Sequence, residues 1–448
     1  MREPRRRPEI PRGPHLVVGL ARSGLAAALA LRERGEEVIG VDAGAPAGTE
    51  ALSQAGVEVH VGTEGVALLQ RARAVIKSPG VPTEAPVIAA AHERGVPVIG
   101  ELELAWRMLA NEFIAVTGTN GKTTTVELIG QIHREGGIPV AVAGNVGTAV
   151  SSLVGIVGVE TTIVCEVSSF QLEDTVDFAP EAAVLLNISP DHLDRHHTFE
   201  AYQRAKLLLF ARQGNDDVAV APLDLPVEDL GGCARRLRFG TGAAAAVSLR
   251  AGELWWQERP LLSVEEVRLR GAHNLENAMA AAAVCLARGI EEDAVRAGLR
   301  SFAGVAHRLE EVATRDGVLF VNDSKATNIA STEVALSAFL DGGPIHLILG
   351  GQGKGQDFNE LRGAVERSCE AVYLIGQDAP VINAALADLD LPIADCGDLE
   401  RAVSAARLAA RPGEVVLLSP ACASFDQFAD FEARGERFRT LVLDERHP

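Results

Sequence analysis

The densest chemistry in the chain lies at Gly118-Thr119-Asn120-Gly121-Lys122-Thr123, within the run AVTGTNGKTTTVELIG. Two glycines let successive backbone amides curl around phosphate oxygens, Lys122 adds a point charge, and the Thr123 hydroxyl can ligate Mg²⁺. The longer pattern G-x-x-x-x-G-K-[ST] places a glycine six residues before its lysine; here that place holds Val116. The loop is thus a shortened form that keeps its working parts. FIAVTG before it reads as a strand and TTTVELIGQIHREG after it as a helix, the context such a loop requires.

Other reactive side chains follow within ninety residues. TTIVCEVSSFQLE reads as a strand ending at Glu166, and the acid at the end of a neighbouring strand commonly holds Mg²⁺ in a phosphate-loop domain. In NISPDHLDRHHTFEAYQRAK, His192 sits among Asp191, Asp194, His196 and His197. Either this is a preorganised metal ligand, needing a neutral imidazole, or a group of surface histidines ahead of a helix. Lys206, in the helical run FEAYQRAKLLLF, either snorkels to solvent or is buried. Burial would lower its pKa and free a neutral amine for chemistry.

Further polar residues sit where strands are expected to end. Gly19-Leu20-Ala21-Arg22-Ser23-Gly24 follows the strand HLVVGL and opens a helix, like a dinucleotide fingerprint whose middle glycine is replaced by Ala21. Asp42 ends the next strand, where an acid would meet a sugar hydroxyl. Asn274 and Asn277, in GAHNLENAMAA, are either helix caps or nucleotide contacts. NDSKATN carries Asp323, Lys325 and Thr327 after strand GVLFV, and LGGQGKG carries Lys354 after strand HLI. Turn chemistry accounts for each run separately. It accounts poorly for so many cationic and amide groups at strand ends, where open α/β sheets bind ligands.

The elements that must position these groups alternate short apolar runs with amphipathic stretches, the pattern of βα units around parallel sheets. We expect an α/β protein of three domains: residues 1–100, Rossmann-like; 101–304, a phosphate-loop ATPase domain with a parallel sheet and a small β-rich part around WWQERPLLSVEEVRLRG; and 305–448, again Rossmann-like. A chain of 448 residues suits that number. The formal net charge of −19 argues against general nucleic-acid binding. No apolar run reaches the ~20 residues of a membrane helix. Six well-separated cysteines suit a reducing cytoplasm better than a disulfide framework. The basic start, MREPRRRPEIPRGP, lacks the apolar stretch of a signal peptide and is expected to fray into solvent.

In combination and order, GTNGKTT, SSFQLE, DHLDRH, GAHNLENAMAA, HRLE, NDSKATN, LGGQGKG and LSPACASFDQF resemble the Mur ligase family, from about His15 to the C-terminus. The likeness is strongest to members that join D-glutamate to UDP-N-acetylmuramoyl-L-alanine in peptidoglycan precursor synthesis, for which the shortened loop is the ATP-binding form. The resemblance implies ATP and Mg²⁺, an acyl-phosphate intermediate, and a cytoplasmic, monomeric enzyme. Residue by residue, it implies ATP contacts from Gly118, Thr119, Asn120, Gly121, Lys122, Thr123, Thr124, Asn274, Asn277, Arg308, Asp323 and Lys325. Metal ligands would be Thr123, Glu166, His192 and Lys206, the last carbamylated, with Lys122, His192 and Lys206 as the catalytic set. The UDP-sugar would meet Ser23, Gly24, Asp42, Ser78, Gly80, Asn145, Ser168 and Gln171, and D-glutamate would meet Thr327, Lys354, Ser424 and Phe431. Some relatives carry an arginine just after the acidic residue; here Ala43 and Gly44 stand there.

Two alternatives stand beside this reading. One is another member of the superfamily, such as a ligase adding a different amino acid or a folylpolyglutamate synthase. The D-N-P-R motif typical of the diamino-acid-adding relative is absent from this sequence. The other is a nucleotide-binding regulator or dehydrogenase, which would have no use for Glu166, His192 and Lys206 behind a phosphate loop.

Overall fold

Strands such as HLVV and FIAVT are apolar on both faces and must be covered twice, and the chain supplies a helix after most of them. The computed structural model describes residues 5–225, 230–269, 271–339, 343–353 and 355–444. The chain divides into two compact units, Met1–Phe302 and Ala303–Pro448. Among the described residues, no helix is long and apolar enough to cross a membrane.

The first unit contains two sheets. Strands β1 (His15–Val18), β2 (Val38–Asp42), β3 (Glu58–Val61), β4 (Ala74–Lys77) and β5 (Val98–Gly100) form a fully parallel sheet in the order β3-β2-β1-β4-β5. The order reverses between β1 and β4, which opens a crevice at the strand C-termini. Helix Arg22–Glu33 follows β1 so closely that any side chain at Gly24 would overlap the Gly19 carbonyl. It ends as expected at Gly35, whose φ of +81° suits glycine.

The second sheet runs through β6 (Phe113–Thr117), β7 (Val140–Gly144), β8 (Thr162–Glu166), β9 (Ala182–Leu185), β10 (Val218–Pro222), β11 (Arg235–Thr241), β12 (Val247–Arg250), β13 (Glu253–Trp256) and β14 (Arg259–Ser263). Its order is β14-β13-β12-β11-β10-β9-β6-β8-β7. The expected β-rich part is therefore the edge of this same sheet, where β12, β13 and β14 pair antiparallel. Helices Lys122–Glu135 and Ala272–Ala287 pack together against it.

Two devices fasten the first sheet to the second. Lys77, fully buried at the end of β4, donates from Nζ to Asp174 Oδ2 at 2.6 Å, and the Asp174 carbonyl accepts the Gly100 N–H. The N-terminal segment is the other device, and here the expectation of a frayed tail is corrected. Arg7 lies over the Trp106 ring at 4.6 Å and donates to the Asn111 carbonyl, while Arg5 pairs with Asp217 at 2.7 Å. Arg7 also pairs with Glu181 at 2.9 Å. Acidic partners and an aromatic face hold the arginines where composition alone pointed to solvent.

The second unit is a six-stranded sheet of β15 (Glu310–Arg315), β16 (Val318–Asn322), β17 (Ile345–Gly350), β18 (Cys369–Ile375), β19 (Ile393–Gly397) and β20 (Val415–Leu418). Its order is β15-β16-β20-β17-β18-β19, with only β15 antiparallel. The expected alternation from GVLFVND onward is present. Strand β15, at EEVATR, adds an edge that its polar sequence did not announce. Apolar clusters fill both faces, one beneath helices Arg362–Ser368 and Ala379–Leu386, the other beneath Leu399–Ala409 and Phe431–Leu443.

Burial raises the Asp174 pKa, and Lys77 opposes that rise. Lys77→Met, which leaves this carboxyl buried and alone, is expected to cost about 3–5 kcal/mol of stability. Adding Asp174→Leu should restore most of it. Urea unfolding of the three proteins checks this, and a Lys77→Met protein as stable as the parent would deny the pair its fastening role.

Candidate active site

The phosphate-binding loop is built as its sequence demands. Gly118 has φ +154° and Gly121 φ +85°, and a side chain at Gly121 would overlap the carboxamide of Asn277. Asn277 is buried and donates from Nδ2 to Asn274 Oδ1 at 3.2 Å. Neither asparagine is a helix cap: the N-cap of Ala272–Ala287 is Gly271, which corrects that reading and leaves Asn277, bonded to Asn274, against the loop. Lys122 folds back over the loop, donating to the carbonyls of Gly118 and Thr119, both at 2.9 Å.

Strand order explains what surrounds the loop. β6 lies between β8 and β9, in register Val116↔Glu166 and Thr117↔Leu185, so the segments after all three strands emerge together. From β8 comes Glu166, only 2% exposed. Its Oε2 accepts from Thr123 Oγ1 at 2.8 Å and its Oε1 from Asn145 Nδ2 at 3.0 Å. After β9 comes Asn187, which sequence reasoning missed. It accepts the Asn120 N–H on Oδ1 at 2.9 Å, returns a bond from Nδ2 to the Asn120 carbonyl, and takes the Thr119 N–H on its own carbonyl. Thr124 is buried beside Thr123 at the start of the helix.

Lys206 is buried, not snorkelling. Its Nζ donates to the Gly118 carbonyl at 2.8 Å and lies 4.6 Å from the centre of the Tyr202 ring. Burial, with the neighbouring Lys122 charge, brings the amine down to about 7. Tyr202, also missed, reaches Thr119 Oγ1 at 3.1 Å, and burial raises its phenol. His192 is half exposed, with φ +51°, and packs against Phe170 at 4.9 Å and Tyr202 at 6.3 Å. His196 is buried between Ser169, at 2.9 Å, and Glu173, at 3.2 Å.

Among the described residues, no three His, Cys, Asp or Glu side chains gather as a metal cluster. The donors at the loop are a hydroxyl and a buried carboxylate already in contact, the hard oxygen pair that Mg²⁺ uses when it keeps several waters and binds phosphates. Thr123 and Glu166 thus fit that ion.

The first sheet offers a cavity of about 400 Å³ in its crevice, lined by Val18, Gly19, Asp42, Ala43, Gly80 and Val81 among others. Asp42 steadies its rim, accepting the Leu20 N–H at 2.7 Å and the Gly44 N–H at 2.8 Å, while Ser78 Oγ donates to the Gly19 carbonyl at 2.7 Å. Ser23 and Gly24 open the helix beside it. Arg22 donates to the Asn145 carbonyl at 2.9 Å, so the fingerprint turn touches the residue that donates to Glu166. Ser168 and Gln171 meet each other instead, in a capping box that starts helix Ser169–Glu173.

In the second unit Asp323, Lys325 and Thr327 follow β16. Asp323 is buried, accepts from Ser419 Oγ at 2.8 Å and from the Leu309 N–H at 3.1 Å, and burial raises it to about 7. Arg308, next to Leu309, lowers it in opposition. Lys325 Nζ lies 6.0 Å from the centre of the Phe431 ring. Ser424 is buried in the loop after β20. Lys354 lies outside the described residues.

Comparison with known proteins covers most of the chain. Residues 14–100 match the family model for the Mur ligase MurD-like N-terminal domain, 116–285 that for the Mur ligase middle domain, and 307–422 that for the Mur ligase glutamate ligase domain. The UDP-N-acetylmuramoylalanine–D-glutamate ligase of Acidobacterium capsulatum is 43% identical, over 96% of this chain and 96% of its own. Its counterpart from Anaeromyxobacter dehalogenans is 44% identical, over 96% and 97%. Among solved structures, the UDP-N-acetylmuramate-alanine ligase of Thermotoga maritima shares the fold with a TM-score of 0.59 at 19% identity, over 95% of this chain and 98% of its own. The MurF ligase of the same organism, in complex with ADP, does so with a TM-score of 0.56 at 18% identity, over 91% and 94%.

An amine with a pKa of about 7 is protonated below that pH and neutral above it. We expect the ¹³Cε signal of Lys206 to titrate with a midpoint near 7, while exposed lysines titrate near about 10.4. Lysine-labelled NMR of the parent and of Lys206→Gln in CO₂-free buffer, where the amine is unmodified, assigns the signal; a midpoint above 9 would mean that the amine is solvated.

Proposed function

Because the chain belongs to the Mur ligase family, we propose that it joins D-glutamate to UDP-N-acetylmuramoyl-L-alanine at the expense of ATP, in peptidoglycan precursor synthesis. The observation that carries this reading is the convergence of a phosphate loop after β6, a buried carboxylate at the end of β8 and, from helix Phe199–Ala211, a buried lysine of lowered pKa. A dehydrogenase or a nucleotide-binding regulator has no need of that constellation.

A carboxylate is a poor electrophile, and phosphorylation makes one of its oxygens a leaving group. In the reaction, the alanyl carboxylate oxygen attacks the γ-phosphorus and ADP departs. The D-glutamate amine then attacks the acyl carbon, the C–O bond to phosphate breaks, and the amine proton passes to solvent. Lys122 and the amides of Gly118, Gly121, Thr123 and Thr124 hold the β and γ phosphates, while the Thr119 and Asn120 amides, bonded to Asn187, keep the loop in shape, so charge on the transferring group meets fixed donors. Asn145, anchored on Glu166, faces both the γ-phosphate and the acceptor.

Thr123 and Glu166 would hold one Mg²⁺, and His192 with a carbamylated Lys206 a second; bound there, the ions neutralise phosphate charge. Carbamylation needs a neutral amine: the ammonium first gives up one proton, Nζ then bonds the carbon of CO₂ and a second proton leaves, so that a cation has become an anion. The lowered pKa of Lys206 supports this. Asn274, Asn277, Arg308, Asp323 and Lys325 serve the nucleotide. Ser23, Gly24, Asp42, Ser78 and Gly80 serve the UDP-sugar, with Ser168 and Gln171 at its far end. Thr327, Lys354, Ser424 and Phe431 receive D-glutamate. We assign residues 1–100 to the UDP-sugar, 101–304 to ATP and 305–448 to the amino acid. We take a monomer as the active form.

Phosphate release with ATP, UDP-N-acetylmuramoyl-L-alanine and a panel of amino acids tests the reading. Turnover should require D-glutamate, and strict dependence on another amino acid would overturn it. Lys122→Ala should lower kcat by about 10³-fold or more. Near-normal turnover would remove Lys122 from the mechanism.

A further inference from the structure

Arg434 lies on helix Phe431–Leu443 with 1% of its surface exposed, the largest side chain buried to that degree among the described residues. Its Nε donates to Ser324 Oγ at 2.9 Å, and its Nη2 to the carbonyls of Ser324 at 2.9 Å and Cys422 at 3.0 Å. Ser324 Oγ in turn donates to the Phe431 carbonyl at 2.8 Å. Nη1 is buried and has no hydrogen-bond partner among the described residues. A Cβ built on Gly351, which has φ +133°, would stand 3.3 Å from that nitrogen.

One guanidinium therefore touches the segments after β16, β17 and β20, which carry Thr327, Lys354 and Ser424. No carboxylate among the described residues forms an ion pair with it. Asp426 acts on it only through space, its own Oδ2 being taken by the Gln377 N–H. Burial lowers its pKa to about 10, which still leaves it charged at neutral pH. A buried cation without a direct counter-charge is costly, and removing a charge of this kind from a plain clamp would not be selective for any one substrate. An idle Nη1 beside a glycine-lined loop makes sense where an anion completes the set.

We propose that Arg434 is a positioning residue for the amino-acid substrate: it braces the three loops that receive D-glutamate and sets behind them a positive charge that a dicarboxylic amino acid compensates. This rests on the reading that D-glutamate is received by these loops. Arginine is needed because its planar fork reaches Ser324 and Cys422 together, which a lysine cannot do.

The test is steady-state kinetics of phosphate release by the full chain, with each substrate varied in turn. Arg434→Lys, which keeps the charge but loses the fork, should raise the KM for D-glutamate about tenfold. Arg434→Met should raise it about a hundredfold. Both should leave the KM for ATP and for UDP-N-acetylmuramoyl-L-alanine within about twofold of the parent. Ser324→Ala, which keeps the guanidinium and loosens one brace, should raise the D-glutamate KM about threefold and decides the matter if a position-434 variant does not fold by circular dichroism. An unchanged D-glutamate KM in the folded variants, or equal rises for all three substrates, would overturn the proposal. A parent enzyme that shows no dependence on D-glutamate would instead overturn the reading beneath it.

Discussion

A loop that must present its backbone to phosphate leaves no room for side chains at its turning points, and the central sheet is arranged around that restriction. Gly121 bends in the left-handed region with Asn277 pressed against its Cα, so neither backbone angle nor available space admits another residue. Asn187 grips the outside of the loop and Lys206 takes the Gly118 carbonyl from behind. The loop is held from neighbouring strands before any ligand arrives, as preorganised electrostatic catalysis requires.

Acidic side chains outnumber basic ones on a chain of net charge −19, and the structure buries three of the cations. Lys77, Lys206 and Arg434 are all buried, each in a different state of compensation. Lys77 has a carboxylate at 2.6 Å, and the pair fixes one sheet to another. Lys206 has a carbonyl and an aromatic face, and its amine is brought towards neutrality. Arg434 has three hydrogen bonds and keeps its charge. Burial thus yields a fastener, a reactive amine and a fixed cation according to what lies within hydrogen-bond reach.

The alternation of apolar runs and helices was legible in the sequence because parallel strands covered on both faces show as continuous apolar stretches. The phosphate loop was legible too, since its glycines, lysine and threonine sit on consecutive positions. Asn187 and Tyr202 were not: they reach the loop only because β9 neighbours β6, and strand order is not written in local sequence. His192 and Lys206 drew attention by type, but only burial separates Lys206 from an ordinary helix lysine. The polar strand β15 escaped because an edge strand with one solvated face lacks the apolar signal. The N-terminal arginines were misread for a related reason: their partners Glu181 and Asp217 lie far along the chain, and composition carries no information about such distances.

That separation bears on how the protein is made. Arg5 leaves the ribosome early, but its partner Asp217 is synthesised 212 residues later. At about 5–20 residues per second, the arm waits roughly 10–40 s before it can dock. The first sheet can close around its own core in that time, since β5 is complete by Gly100. The docking of Arg5, however, must follow translation of Asp217, so an early-made residue waits for a partner made much later in the same unit.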